Sequence, residues 1–340
     1  VSKHRVGIVG LGMALKPHLK SLEELADRVE IAACFTPSAE RRKAFAAANR
    51  HPVVDTLDAI LSDRGIDAVL VLTPPTTHLE LVEQCAKAGK HVLLEKPTDV
   101  SGARAAKAVV AMEKAGKKFA VMLQHRFRDA SRKLRGVVDS GELGPLVSAS
   151  ASIRWWRTPE YFAQPGRGMK ARDGGGVLIT QAIHTLDLFQ SLTGPIAKVT
   201  AFAKTSRLRN IDTEDMVAGS IEFANGAIGS IDATTTAYPG FPERIELSFE
   251  NGTAALIAET LEIYFKDGRH VRHEGEASKS GGADPMAFSN DAHKALIVDF
   301  IDAIDANREP TVSGRESLKV MRLIEALLRS AGEGKAVAVN

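Results

Sequence analysis

The sequence predicts an α/β chain in two parts: a doubly wound parallel sheet over residues 1–124, then an α+β part with a mostly antiparallel sheet over 125–340. Three observations predict it. Short apolar runs alternate with helical patterns through the first third. A glycine turn, Gly10-Leu11-Gly12, directly follows the first run. After residue 125 the rhythm changes to successive β-like runs, with Asn-Gly between two pairs of them.

Strands are expected at 4–10, 29–35, 68–73, 91–96 and 119–124, with helices near 13–25, 38–49, 56–63, 76–88 and 101–115. Ser38 and Ser101 are expected as helix N-caps, because a short hydroxyl can accept from the first-turn N–H groups. Gly89 and Gly116 are expected as helix stops. A further helix is expected over 129–140, ended by Gly141. The β-like runs are 146–156, 197–206, 214–224, 227–237, 243–250, 253–257 and 260–266, with hairpin turns at Asn225-Gly226 and Asn251-Gly252. Residues 176–192 read as helical. The polar, Gly-rich 267–290 reads as a loop, and amphipathic helices follow over 291–306 and 315–331.

A length of 340 residues suits two cores, and 44% hydrophobic with 25% charged residues is an ordinary soluble mix. The formal net charge of +2, with no basic run interleaved with aromatics, argues against a nucleic-acid partner. No apolar stretch approaches the roughly 20 residues of a membrane span. The chain enters a strand-like run within a few residues, which leaves no room for a signal peptide. Cys34 and Cys85 form no metal or disulfide pattern. They are expected as buried thiols in a cytoplasmic protein, and no metal is expected.

Two stretches carry the chemistry. In "VGIVGLGMAL", Gly10 permits a tight turn and Gly12 lets the backbone approach a pyrophosphate at a helix N-terminus, while Leu15 stands where a third small residue is usual. The second strand ends in Thr36, then Ser38, Arg41 and Arg42, without the carboxylate that would accept from a ribose 2′-hydroxyl. A hydroxyl and a guanidinium suit a 2′-phosphate, which favours NADP over NAD. Alternatively, both arginines only line the solvated face of a helix. In "VLLEKPT" (92–98), a run suited to a strand buried on both faces meets Glu95, Lys96 and Pro97. Lys96 is either a group aimed at a ligand or a structural lysine paired with Glu95.

The ordered set "GIVGLG", "TPPTTH" (73–78), "EKP" (95–97) and "GGGVLITQAIHTLD" (174–187) resembles the glucose-fructose oxidoreductase / inositol dehydrogenase / MocA family over essentially the whole chain. The resemblance implies an N-terminal Rossmann domain and a C-terminal domain with a large open antiparallel sheet. It implies hydride transfer between NAD(P) and a carbinol or carbonyl carbon of a sugar, sugar acid, nucleotide sugar or cyclitol. It also implies homodimers or homotetramers built through the C-terminal sheet. It carries cofactor contacts to Gly10, Gly12 and Met13 in the turn, and to Thr36, Ser38 and Arg41 after the second strand. Further cofactor contacts fall on Thr73, Pro74 and His78 in the next loop, and on Glu95 and Lys96. Lys96 matches the family's signature active-site lysine. There an ammonium would hydrogen-bond the reacting oxygen and take part in proton exchange.

His184 matches the family's histidine, a proton donor or acceptor beside the carbinol. Thr180 stands where an aspartate is common, four residues before His184 and so on its helix face, and is assigned to hold a substrate hydroxyl. Asp187 either orients the His184 imidazole or serves the helix face alone. "IRWWRTPEYFAQPGRGMKARDGGG" (153–176) is dense in arginine and aromatics. Trp156, Arg157, Tyr161 and Arg167 are substrate candidates there, with Arg154 and Arg172 as further anion clamps, unless the segment is an oligomer interface. Trp155 and Trp156 should face opposite sides of a strand. His125 and Arg126 complete the substrate set. Two rival readings remain: an NAD-dependent glycosidase working by oxidation and elimination, and a non-catalytic nucleotide-binding regulator.

Overall fold

Five short apolar runs form the first sheet of the computed structural model, which describes residues 3–275 and 289–339. They are β1 (His4–Val9), β2 (Val29–Phe35), β3 (Ala68–Val71), β4 (His91–Leu94) and β5 (Phe119–Val121). All pair in parallel, in the order β2-β1-β3-β4-β5. Every residue of β3 is buried, as both-face coverage requires. The sequence carries β3, β4 and β5 too far. Pairing stops at Val71, Leu94 and Val121, where the chain turns into loops at the carboxyl edge.

Between the strands run α1 (Leu15–Glu24), α2 (Ala39–Ala48), α3 (Asp58–Leu61), α4 (His78–Lys87) and α5 (Gly102–Lys114). The expected caps form: Ser38 Oγ accepts from Arg41 N at 3.2 Å, and Ser101 Oγ from Arg104 N at 3.4 Å. Gly89 and Gly116 sit just past α4 and α5 with φ of +69° and +62°. Cys34 and Cys85 are buried, and burial pushes both thiols up to about 12.

The second part starts with α6 (Asp129–Asp139), β6 (Leu146–Arg154), the single turns α7 (Pro159–Phe162) and α8 (Lys170–Asp173), and α9 (Ile183–Thr193). Strands β7 (Ile196–Lys204), β8 (Met216–Phe223), β9 (Ile228–Thr234), β10 (Arg244–Phe249), β11 (Gly252–Ile257), β12 (Thr260–Phe265) and β13 (His270–Glu274) follow. Helices α10 (Asp291–Asp305) and α11 (Gly314–Glu333) precede a short β14 (Val337–Ala338). The nine strands run β13-β12-β11-β10-β6-β9-β8-β7-β14, antiparallel except for the β6–β9 pair. Alternate residues face the core: Ile245, Leu247 and Phe249 on β10, and Leu261, Ile263 and Phe265 on β12. The Asn225-Gly226 turn forms as expected, with Asn225 Oδ1 accepting from Ala227 N at 3.1 Å. Two edge strands were not legible. β13 lies in the predicted 267–290 loop and lacks apolar alternation, and β14 has two residues. The rest of that loop, 276–288, lies outside the described residues.

Two compact units form. One runs to Met122 and takes in Asn290–Leu318; the other begins at Leu123 and takes in the chain from Lys319 onward. The sequence reading has one boundary, after residue 124, and makes no separate provision for 290–318. That return closes the first sheet. Val121 N donates to Val312 O at 3.0 Å, so the outer edge of β5 is not left open. Helix α10 lies on α1, with Asn290 Nδ2 donating to Ser21 Oγ (3.2 Å) and Lys294 Nζ to Glu24 Oε2 (2.7 Å).

His91, at the start of β4, accepts from Lys118 N through Nδ1 at 2.9 Å. Burial, helped by the Lys117 charge, lowers its pKa to about 4. A ring whose folded value lies below its unfolded one contributes stability above about pH 6.5 and loses it as pH falls toward 4. Urea denaturation at pH 7 and pH 4.5 should show a stability loss that His91→Asn, which can accept without titrating, reduces. An equal loss in the variant would refute the assignment.

Candidate active site

The loop after β1 requires glycine for two different reasons. Gly10 has φ +109°, and a Cβ there would lie 2.6 Å from Leu72 O. At Gly12 a Cβ would meet no protein atom within 4 Å, so packing does not demand its small size. No side chain caps the N-terminus of α1, and Met13 is exposed. Uncapped N–H groups beside a Gly-x-Gly turn, at the carboxyl edge of a parallel sheet, suit a dinucleotide pyrophosphate. The residues present therefore fit an NAD-type cofactor.

After β2, Thr36 is buried, Ser38 is spent on its cap and Arg41 is exposed. Arg42 is tied to the loop: its Nη1 donates to Thr36 O (2.7 Å) and Pro37 O (3.0 Å), and its Nε lies 3.4 Å from Asp55. In the loop after β3, the Thr73 and Thr77 hydroxyls are 2.7 Å apart, beside Pro74. His78 departs from expectation. Its ring is fully buried, with Nδ1 2.9 Å from Pro97 O and Nε2 2.9 Å from Thr73 O. Both ring nitrogens face backbone carbonyls, so His78 holds two loops together and does not present its ring to a cofactor. Burial lowers its pKa, against the pull of the two carbonyls and of Asp99 and Glu95.

Lys96 lies just past β4 and is partly exposed, and the Lys96–Pro97 bond is cis. Glu95 Oε2 accepts from the backbone N of Lys96 at 2.9 Å, and Oε1 meets Nε2 of the buried His18 at 2.8 Å. Burial alone would raise the Glu95 carboxyl. The His18 hydrogen bond and the charges of His18, Lys96 and His293 outweigh it and hold the group below the usual range. His293, from α10, sets its ring edge-on to His18 at 5.3 Å. His18, Glu95 and His293 bring three atoms of metal-ligand type within 4.8 Å of one another, but a hydrogen bond already joins two of them.

The second unit carries the histidine segment. Residues Leu178–Ala182 make a π-helical turn before α9. Thr180 sits in that turn, and its Oγ1 donates to Gly176 O at 2.6 Å and contacts Gln181 Oε1. His184 is half-buried on α9 and stacks on the buried His125, with centroids 5.0 Å apart. Arg126 and Asp187 form a two-pronged pair, Nε to Oδ2 at 2.7 Å and Nη2 to Oδ1 at 2.6 Å. Glu214, which the sequence did not single out, accepts from Gly176 N (3.0 Å) and Leu178 N (3.2 Å) at the head of this segment. Burial raises its carboxyl despite those bonds. A Cβ at Gly176 would lie 1.8 Å from Glu214 O, so the third glycine answers to this contact.

The arginine-aromatic stretch folds into a nest. The Arg157 guanidinium lies over Trp155 (5.0 Å) and Tyr161 (5.7 Å), and Arg167 over Tyr161 (4.8 Å). Tyr161 Oη accepts from Gln181 Nε2 at 3.1 Å, which links the nest to Thr180. Trp156 instead packs under Arg209 at 4.9 Å, a residue with no sequence signal in the polar loop after β7. Two of the suggested clamps have other work. Arg154 pairs with Asp232 across strands, and Arg172 donates to Pro165 O at 2.6 Å. Arg167 keeps Asp173 at 3.4 Å.

Comparisons with known proteins give the family. A family model described as an oxidoreductase family with an NAD-binding Rossmann fold matches residues 4–123, and one described as the GFO/IDH/MocA C-terminal domain matches 131–255. Inositol 2-dehydrogenase of Rhizobium meliloti is 28% identical, with 98% of this chain and 99% of the relative covered. D-apiose dehydrogenase of Paraburkholderia graminis is 27% identical, with 100% and 91% covered. The crystal structure of the WlbA dehydrogenase from Bordetella pertussis, in complex with NADH and UDP-GlcNAcA, superposes with a TM-score of 0.85 at 28% identity, covering 100% of this chain and 99% of that one.

Proposed function

The chain belongs to the GFO/IDH/MocA family of NAD-binding oxidoreductases, and from that premise we propose that it interconverts a carbinol and a carbonyl on a sugar, sugar acid, nucleotide sugar or cyclitol. One observation carries the reading: a single parallel sheet presents both the Gly10–Gly12 turn and Lys96 at its carboxyl edge, where such sheets bind ligands. When bound, the nicotinamide supplies or accepts the hydride. Lys96 hydrogen-bonds the reacting oxygen and stabilises the charge that grows on it. His184 exchanges the hydroxyl proton, and Thr180 holds the substrate beside it. Arg157, Tyr161 and Arg167 form the side that would take an anionic or polar substituent. The UDP-GlcNAcA of a 28% identical relative is a ligand of that kind.

The loop after β2 supports use of NADP, because no carboxylate stands there to repel a 2′-phosphate and Arg41 is exposed. The solvent face of the nine-stranded sheet carries exposed Phe202, Ile228 and Tyr264, which supports dimers or tetramers through that face; a monomer by light scattering would refute it. No helix among the described residues is long and apolar enough to cross a membrane.

The test is a panel of sugars, sugar acids and inositols, each with NAD(H) and NADP(H), followed by the absorbance of the reduced nicotinamide. We expect turnover with at least one class, tighter binding of NADPH than NADH, and loss of that difference in Arg41→Ala. A clear NADH preference would refute the cofactor assignment. Cofactor that copurifies and shows no net reduction during turnover would favour a glycosidase working by oxidation and elimination. Binding without turnover across the panel would favour a nucleotide-binding regulator.

A further inference from the structure

The residues on both sides of Lys96 are gripped by buried imidazoles from two different helices. His18, on α1, is fully buried and holds Glu95 Oε1 at 2.8 Å, and the other oxygen of that carboxylate takes the Lys96 backbone N–H at 2.9 Å. His78, also fully buried, reaches the Pro97 carbonyl at 2.9 Å from the start of α4. The grip continues past the proline. Thr98 Oγ1 donates to Ser317 Oγ at 2.7 Å, and the buried Asp99 accepts from Leu79 N at 3.0 Å and Arg104 Nε at 2.7 Å.

We propose that His18 is a positioning residue: through Glu95 it fixes the backbone from which Lys96 reaches the substrate oxygen. This rests on the reading of Lys96 given above. The physical reason lies in the neighbouring chain. Lys96 precedes a proline, so the next residue has no N–H with which to anchor the loop, and the strand has already ended at Leu94. Side chains must do what a ladder of hydrogen bonds would otherwise do. A carboxylate with both oxygens engaged is a stiff link between α1 and the lysine. His293, from α10, packs edge-on against the His18 ring, with centroids 5.3 Å apart. An ion-binding role suits the three groups less well. The His18–Glu95 hydrogen bond is made at ordinary length, and an ion between them would have to break it.

The test uses the full chain with whichever reduced cofactor, NADPH or NADH, binds more tightly in the panel. His18→Leu removes the donor, whereas His18→Gln places an amide N–H near the position of Nε2. Two readouts are taken. One is kcat and KM on whichever panel substrate turns over fastest. The other is the 13C NMR signal of reductively dimethylated Lys96, assigned by its absence in Lys96→Arg, which needs no substrate. We expect His18→Leu to lower kcat by about ten- to a hundredfold, as a misplaced reacting group does. KM and the Kd of that cofactor should stay within about threefold, and His18→Gln should recover most of kcat. The Lys96 signal should move toward that of the exposed lysines in His18→Leu and stay in place in His18→Gln. An unchanged kcat with an unchanged Lys96 signal would overturn the proposal. If His18→Leu fails to fold, Glu95→Gln reads the same signal with α1 intact. Lys96→Ala separates the two ideas: turnover retained there defeats the catalytic role of Lys96, while the NMR signal still decides whether His18 positions it.

Discussion

Lys96→Ala is expected to lower kcat by roughly a thousandfold, the scale seen when a single group stabilising charge at a reacting oxygen is removed. The NADPH Kd, read by fluorescence titration, should change by less than about threefold, because the pyrophosphate site proposed at Gly10 and Gly12 is untouched. The split between the two readouts is the informative part. A lysine kept only for its packing would lower stability and leave turnover per folded molecule near normal. Glu95 meets His18 through one oxygen and accepts from the Lys96 backbone N–H through the other. Lys96→Arg keeps the charge but spreads it over a planar fork, and should recover only part of the rate. Near-normal turnover in Lys96→Ala on a good substrate would defeat the assignment.

Arg126→Ala should destabilise the protein by about 3–5 kcal/mol, the usual loss when one partner of a buried ion pair is removed. Asp187 is 1% exposed, and Arg126 meets it through two parallel bonds of 2.7 and 2.6 Å. Without the guanidinium, a buried carboxylate loses two charge-assisted hydrogen bonds. Urea denaturation without cofactor gives the number. Replacing both residues, Arg126→Met with Asp187→Leu, should recover much of it, because the buried carboxylate is then removed together with its cation. A loss below about 1 kcal/mol in the single variant would show that water reaches Asp187. The pair also ties α9, which carries His184, to the segment carrying His125. Activity in the folded fraction should therefore fall as well.

The first sheet was legible because its strands are buried on both faces and its helices announce themselves with caps. Val69, Leu70, Val92 and Leu93 could form nothing polar, and Ser38 and Ser101 accept where expected. The motifs singled out Lys96, His184 and the arginine-aromatic stretch as candidates, since each pairs an uncommon residue type with a definite place in the β-α order. What stayed hidden depends on contacts distant in sequence. Glu214 looks like any loop acid until Gly176 is placed beside it. His78 matches a ligand-facing motif, yet its two nearest polar partners are backbone carbonyls, which no motif records. The π-helical turn at Leu178–Ala182 stayed hidden too, because apolar periodicity over so few residues does not reveal it.

The return of Asn290–Leu318 to the first unit bears on how the chain is made. A ribosome delivers β1 to β5 early, but β5 then has only β4 as a partner, and the face of α1 that meets α10 is bare. The segment that completes both arrives after every strand of the second sheet except β14 has been synthesised. The nucleotide-binding unit is thus begun before the second sheet and finished after nearly all of it. Until then it must wait with an open edge, the condition under which nascent chains stick to one another and depend on chaperones.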